Sequence, residues 1–279
     1  VLSDINKNYI YVDPKKVLRL VKLKKPSKHL DALSKYIINN KTSKIPVEYR
    51  HLRSKTGRII FDNKTGLSIT TLPHTNIREC IIPEYDKFVS FDIKAAEVFY
   101  IFKTSTKILS DITVDDNFDL YNYLISKCSL ANDRELVKET IIKWLYGSTS
   151  FNSDENLIIE SLKSQYPELS HDNLGYIPEY YQTKYKRIIK LDNSLTKYLN
   201  NIPQSEFSDE MIDILCEIWR NLKLYNLRTK IKFIIYDEII FDCPQDEIEI
   251  VKNIIKQCAD KKFPYRVTEA ENWFKVSKN

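Results

Sequence analysis

KFIIYDEIIFDCP, residues 232–244, places two short apolar runs on either side of Tyr236, Asp237 and Glu238. Two such runs about a polar pair predict a β-hairpin with the acids at its turn. Adjacent carboxylates at a turn suit either a solvated surface or an acidic site. The runs beside them read as fully buried strands, which would hold the turn rigidly.

Working back along the chain, FVSFDIKAAEVF (88–99) is an apolar strand ending in Asp92, followed by a helix that carries Glu97. An aspartate at a strand end can project from the sheet and hold a metal, although D-x-x-x-x-E alone is also common surface decoration. A third stretch, RELVKETIIKWLYG (134–147), spaces Arg134, Lys138, Ile142 and Tyr146 by four. On a helix these form one slowly rotating stripe. Cation, cation, apolar, phenol is an odd core face. It suits a grip on a triphosphate at one end and on a base or sugar at the other, with a solvated helix as the plain alternative.

Around these stretches, Asp13 and Pro14 predict a helix start, with a basic amphipathic helix to about Lys25, broken by Pro26. A second helix is expected over 30–39, irregular or short-stranded chain over 41–76, strand over 81–92 and helix over 95–109. Helices are also expected over 117–129, 133–146, most of 153–199, 208–225 and 245–259, and a last strand over 265–268.

The 279 residues suffice for two or three subdomains, and the charge of +5 hints weakly at a polyanionic partner. Its distribution says more. Residues 14–30 carry seven Lys or Arg and no acid, and 180–197 alternate tyrosines with Lys184, Lys186, Arg187 and Lys190. Such runs suit either a solvated helix face or nucleic-acid backbone tracking with base stacking. The five scattered cysteines, never in C-x-x-C spacing, argue against a disulfide frame or zinc site. Reduced thiols in a cytoplasm-like compartment are therefore expected. There is no apolar run of membrane-span length and no signal-peptide pattern. The missing initiator Met leaves the chain open to being a piece of a longer one. Gly57, Gly66, Gly147 and Gly175 are its four glycines, and three of them fall in the motifs.

In this order the three stretches resemble the motifs of family A, the bacterial DNA polymerase I-like polymerases. Asp92 and Glu97 match D-Y-S-Q-I-E-L-R. Arg134, Lys138, Tyr146 and Gly147 match R-x-x-x-K-x-x-x-F-x-x-x-Y-G, and Asp237 and Glu238 match H-D-E. Thr56-Gly57-Arg58 resembles the family's T-G-R, followed later by Ile77-Arg78. A shifted match at Thr65-Gly66-Leu67 lacks the arginine. Asp119-Leu120-Tyr121 stands where D-I-H is usual. NIPQS (201–205) resembles the segment whose glutamine touches primer and template, and ENWF (271–274) the closing E-x-W. The likeness covers about residues 45–279. It departs from the family at Ile93, Lys94, Ala95, Ile142 and Tyr236.

The resemblance implies an α+β right-hand polymerase with an antiparallel palm sheet, helical fingers and a reduced thumb. Its parts would be a thumb remnant over 1–45, palm over 46–111, fingers over 112–200 and palm again over 201–279. It further implies template-directed addition of dNTPs to a primer 3′-hydroxyl, without a proofreading exonuclease. Two Mg²⁺, with Mn²⁺ as a substitute, would sit on Asp92 and Asp237, and Lys138 and Glu238 would assist. Arg134, Lys138, Ile142, Tyr146 and Glu97 would bind the nucleotide. Arg58, Arg78, Gly147, Gln204 and Tyr236 would meet DNA. Primer–template DNA and dNTPs are the expected partners, together with further domains or a processivity partner. A phage-type RNA polymerase and a catalytically silent polymerase-like DNA-binding module are the alternatives. The Ile, Lys and Asn bias suggests an AT-rich, phage- or organelle-like replicon.

Overall fold

The computed structural model describes residues 1–23, 28–51, 53–61, 72, 77–105, 114–130, 132–170, 178–192, 194–260 and 262–277. Thr65, Gly66, Leu67 and Gly175, most of the segment after Arg58, and the expected break at Pro26 lie outside them.

The chain opens with α1 (Leu2–Ile5), β1 (Tyr9–Val12), α2 (Pro14–Leu23) and α3 (Lys28–Asn40). Short strands β2 (Lys44–Pro46), β3 (Tyr49–Arg50), β4 (Ile60–Phe61) and β5 (Ile81–Ile82) follow. β1 lies between β2 and β5 in a three-stranded sheet. Ile10, Val12, Val17 and Ile45 all enter the main core. Neither α1 nor β1 is foreshadowed by the sequence pattern, because Tyr-Ile-Tyr-Val is too short a run to show a period.

The strand expected over 81–92 is two strands. After β5 the chain turns through 83–86 before β6 (Lys87–Ile93). Asp242 fixes that turn, its carboxylate accepting from the backbone N–H of Glu84 at 2.8 Å and Tyr85 at 2.9 Å. Next come α4 (Ala96–Ser105), α5 (Leu120–Lys127), α6 (Arg134–Leu145) and α7 (Ser153–Gln165). The side chains of Asp119, Asp133 and Asn152 cap α5, α6 and α7 by accepting from backbone N–H groups in the first turn. α6 ends in a Schellman turn. Ser148 N–H donates to Lys143 carbonyl and Gly147 N–H to Trp144 carbonyl, both at 2.9 Å. Gly147 has φ +79°, and a Cβ there would lie 3.2 Å from Leu199.

The tyrosine- and lysine-rich run, expected to be helical, is instead a hairpin of β7 (Tyr180–Gln182) and β8 (Ile188–Lys190). Its Tyr and Ile content favours a pleated surface, and Lys186 turns the chain at φ +68°. Arg187 latches the hairpin down, donating to Asp209 at 2.9 Å, Ser205 carbonyl at 2.9 Å and Thr56 carbonyl at 3.2 Å. Gly57 makes room for it: a Cβ there would sit 2.6 Å from the guanidinium carbon.

The helix expected from Ser208 begins earlier, as α8 (Leu195–Leu224), and runs through Pro203. Burial of Ser205–Met211 against neighbouring elements outweighs the hydrogen bond that proline removes. The division drawn near residue 200 therefore falls inside one helix.

β9 (Lys230–Ile235), β10 (Glu238–Cys243), α9 (Ile248–Ala259), β11 (Tyr265–Ala270) and α10 (Trp273–Val276) complete the chain. Strand order β11-β6-β10-β9 makes a four-stranded antiparallel sheet, with the hairpin where the sequence predicts it. Phe88, Phe91, Phe233, Phe241 and Trp273 are essentially buried in the core, and Trp273 stacks on Phe233 with centroids 4.8 Å apart. None of the described helices is long and apolar enough to cross a membrane.

Candidate active site

The register of the central sheet brings the acids together. Asp92, near the end of β6, pairs with Glu238 at the start of β10. Asp237 occupies the turn beside them, its carbonyl accepting from Ile93 N–H at 3.1 Å. The two aspartates line one cleft of about 810 Å³ with Arg58, Lys94, Glu97, Asp119, Arg134, Lys138, Ile142, Tyr146, Tyr236 and Arg266. Residues from three distant stretches thus share one cavity.

Desolvation and the negative charge of Asp92 push the Asp237 carboxyl up to about 7. Burial also raises Asp92, opposed by the guanidinium of Arg266, whose Nη2 lies 2.8 Å from Oδ2. Glu238 turns away into hydrogen bonds from Ser90 Oγ at 2.6 Å and Ser277 Oγ at 3.0 Å. Its environment is that of a buttress for the turn.

Tyr236 holds φ +56°, unusual for an aromatic residue, and is 57% exposed. That backbone suits the two-residue turn at a cost of about 1–3 kcal/mol. Its ring faces the Arg58 guanidinium, 5.1 Å from the centroid.

On the opposite wall, Arg134 donates to Asp119 at 2.8 Å and to Glu135 at 2.8 Å. Lys138 reaches Glu135 at 3.0 Å and remains 39% exposed. Both cations open onto the cleft, and Asp119 sets the direction of the guanidinium. Ile142 and Tyr146 extend the same stripe. Glu97 accepts from Tyr146 OH and from Arg58, with Gln204 Nε2 at 3.4 Å. Burial first, then the charge of Glu97, raise the Tyr146 phenol, so it stays a neutral donor.

Not every residue singled out from sequence lies here. Gln204 contacts Glu97 from the interior of α8. Gly147 packs against the start of α8. Arg78 is set apart from the cleft, donating to Leu72 carbonyl at 2.8 Å with its guanidinium 4.2 Å from the Trp273 ring centroid. Arg266, one cation in a final strand, carries no sequence signal for the cleft. Asp119 opens the Asp-Leu-Tyr that resembles D-I-H, but nothing in the sequence pairs it with Arg134.

No family model matches the chain. Among solved structures it is similar to the POL domain of Pol1 from M. smegmatis, determined in complex with DNA primer-template and dNTP. The TM-score is 0.73 at 14% identity, over 89% of this chain and 51% of that one. The fold is therefore an α+β right-hand polymerase fold of the polymerase I type. In sequence the chain is similar to DNA polymerase I of Chloroflexus aurantiacus, 23% identical over 299 residues. That match takes in 92% of this chain and 31% of the relative, so the chain spans about a third of its length.

Proposed function

We propose that the chain is the polymerase module of a template-directed DNA polymerase, adding dNTPs to a primer 3′-hydroxyl. One observation carries the reading: Asp92 and Asp237 share a cleft with a cationic wall from Arg134 and Lys138 and a fixed Glu97–Tyr146 pair.

Among the described residues no cluster of three or more His, Cys, Asp or Glu side chains forms a ready metal cage. Mg²⁺ does not require one, because it keeps waters and takes one or two carboxylates together with substrate phosphates. Burial first, and then the charge of Asp92, raise Asp237, and a divalent cation relieves such a buried like-charged pair. In this proposal Asp92 and Asp237 hold two Mg²⁺, or Mn²⁺ in its place. When bound, such ions would supply activation of the 3′-hydroxyl and neutralisation of the departing pyrophosphate.

The remaining work falls to side chains. Arg134, oriented by Asp119, and Lys138 receive the triphosphate on one face of α6, and Lys138 carries a proton for the leaving group. Ile142 and Tyr146 lie beside the incoming base and sugar. Glu97 stands as a wall where a ribose 2′-hydroxyl would fall. Arg58 and Tyr236 face the primer end, and Glu238 keeps the hairpin turn in place.

The bond between Arg266 and Asp92 favours a second reading, a silent polymerase-like DNA-binding module with a neutralised site. Primer extension in Mg²⁺ with dNTPs or rNTPs separates the readings. The proposal expects template-directed dNTP addition and poor use of rNTPs. Binding without extension supports the silent module, and preferential rNTP use supports an RNA polymerase.

A further inference from the structure

We propose that Arg266 is a built-in counter-ion of Asp92 that a divalent cation must displace, so that this one residue sets the metal affinity of the site. The inference rests on the metal reading of Asp92 and Asp237.

Arg266 stands directly across from Asp92 in the β11–β6 register, and Nη2 lies 2.8 Å from Oδ2. Sheet geometry therefore brings the two side chains to one place. Lys94, a second cation acting on Asp92, is directed elsewhere, its Nζ 2.5 Å from the Asp116 carbonyl. Arg266 and Asp92 are 38% and 29% exposed, and both line the cleft. A pair this open is weakly held, so its guanidinium can swing into the cleft.

A guanidinium on a carboxylate oxygen occupies a lone pair that a cation needs, and its charge repels that cation. The two therefore compete for Asp92. Asp237 lies beside this pair at the hairpin turn, so a cation drawn to Asp237 meets the guanidinium before it gains its second carboxylate. An unpaired Asp92 would instead leave both acids free to attract cations before any nucleotide arrives.

The test is direct titration of the full chain with Mn²⁺ alone, followed by the electron paramagnetic resonance signal of the free ion. Arg266→Met is expected to bind Mn²⁺ roughly three- to tenfold tighter than wild type. Arg266→Lys keeps the charge without the planar fork and is expected to fall between them. Asp92→Asn and Asp237→Asn are expected to lose most binding. If these two asparagine variants titrate like wild type, the metal reading itself is wrong. If they lose binding while Arg266→Met leaves affinity unchanged, the metal reading survives and Arg266 is only a cross-strand stabiliser. Circular dichroism checks each fold, and Arg266→Gln carries the same expectation should the methionine variant fail to fold.

Discussion

Glu97 on α4 accepts a hydrogen bond from the hydroxyl of Tyr146 at the end of α6, joining positions 49 residues apart across the cleft. Arg58 holds the other carboxylate oxygen, so the side chain is pinned at both ends. A 2′-hydroxyl arriving there must displace a carboxylate from its partners. The charge-assisted bond to the phenol is worth about 1.5–3 kcal/mol. That corresponds to about 10- to 100-fold discrimination, and steric overlap supplies more. Glu97→Ala should therefore raise rNTP use relative to dNTP by at least about tenfold. Comparing kcat/KM for dATP and ATP in both proteins checks this, and an unchanged ratio would remove Glu97 from sugar selection.

The cationic wall makes a separable prediction. Lys138→Ala should lower the rate by roughly a hundredfold and also weaken dNTP binding, because one ammonium both grips phosphate and assists departure. Arg134→Ala should mainly raise KM. Asp119→Asn should act in the same direction as Arg134→Ala but more weakly, since it frees the guanidinium without removing it. Single-nucleotide incorporation kinetics distinguish these patterns.

Much of this site was legible because its elements announce themselves locally. The hairpin at 230–243, the strand ending near Asp92 and the four-residue spacing on α6 each carry their period in a short window. The β7–β8 hairpin was not legible. Its alternation of tyrosines and cations suits a helix face equally well, and the contact that decides the matter is Arg187 reaching Asp209 and Ser205 on α8. Pro203 likewise marks a helix start by local rules, whereas packing carries α8 through it. Arg266 and Asp92 meet across 174 residues. Only the register of β11 on β6 makes them neighbours, and no spacing rule encodes that register.

Beneath the sheet, the ammonium of Lys232 is 2% exposed and lies 3.3 Å from Asp242, 2.9 Å from Glu84 and 2.9 Å from the Tyr9 carbonyl. It ties the N-terminal segment to the sheet. Lys232→Ala would strand a fully buried carboxylate, at a cost of about 3 kcal/mol in urea unfolding. Burial alone would raise Glu84, but hydrogen bonds from Lys232 and Lys230 bring it down to about 2 from its ordinary 4.5. A depressed carboxyl contributes stability that is fully present above 4.5 and is lost as pH falls toward 2. Glu84→Gln should therefore flatten the acid limb of the stability curve in that window while lowering stability at neutral pH.

In the proposed function, Asp92 and Asp237 carry nucleotide addition in this cleft. The most direct measurement is single-turnover incorporation of one dNTP in Mg²⁺ by wild type, Asp92→Ala and Asp237→Ala, with primer–template affinity measured on the same samples. Wild type should extend the primer. Both variants should lose extension while binding primer–template within a few-fold of wild type, because the buried strands beside these aspartates hold the sheet without their carboxylates. Extension by either alanine variant at the wild-type rate, or none by wild type, would rule out that role for the two aspartates.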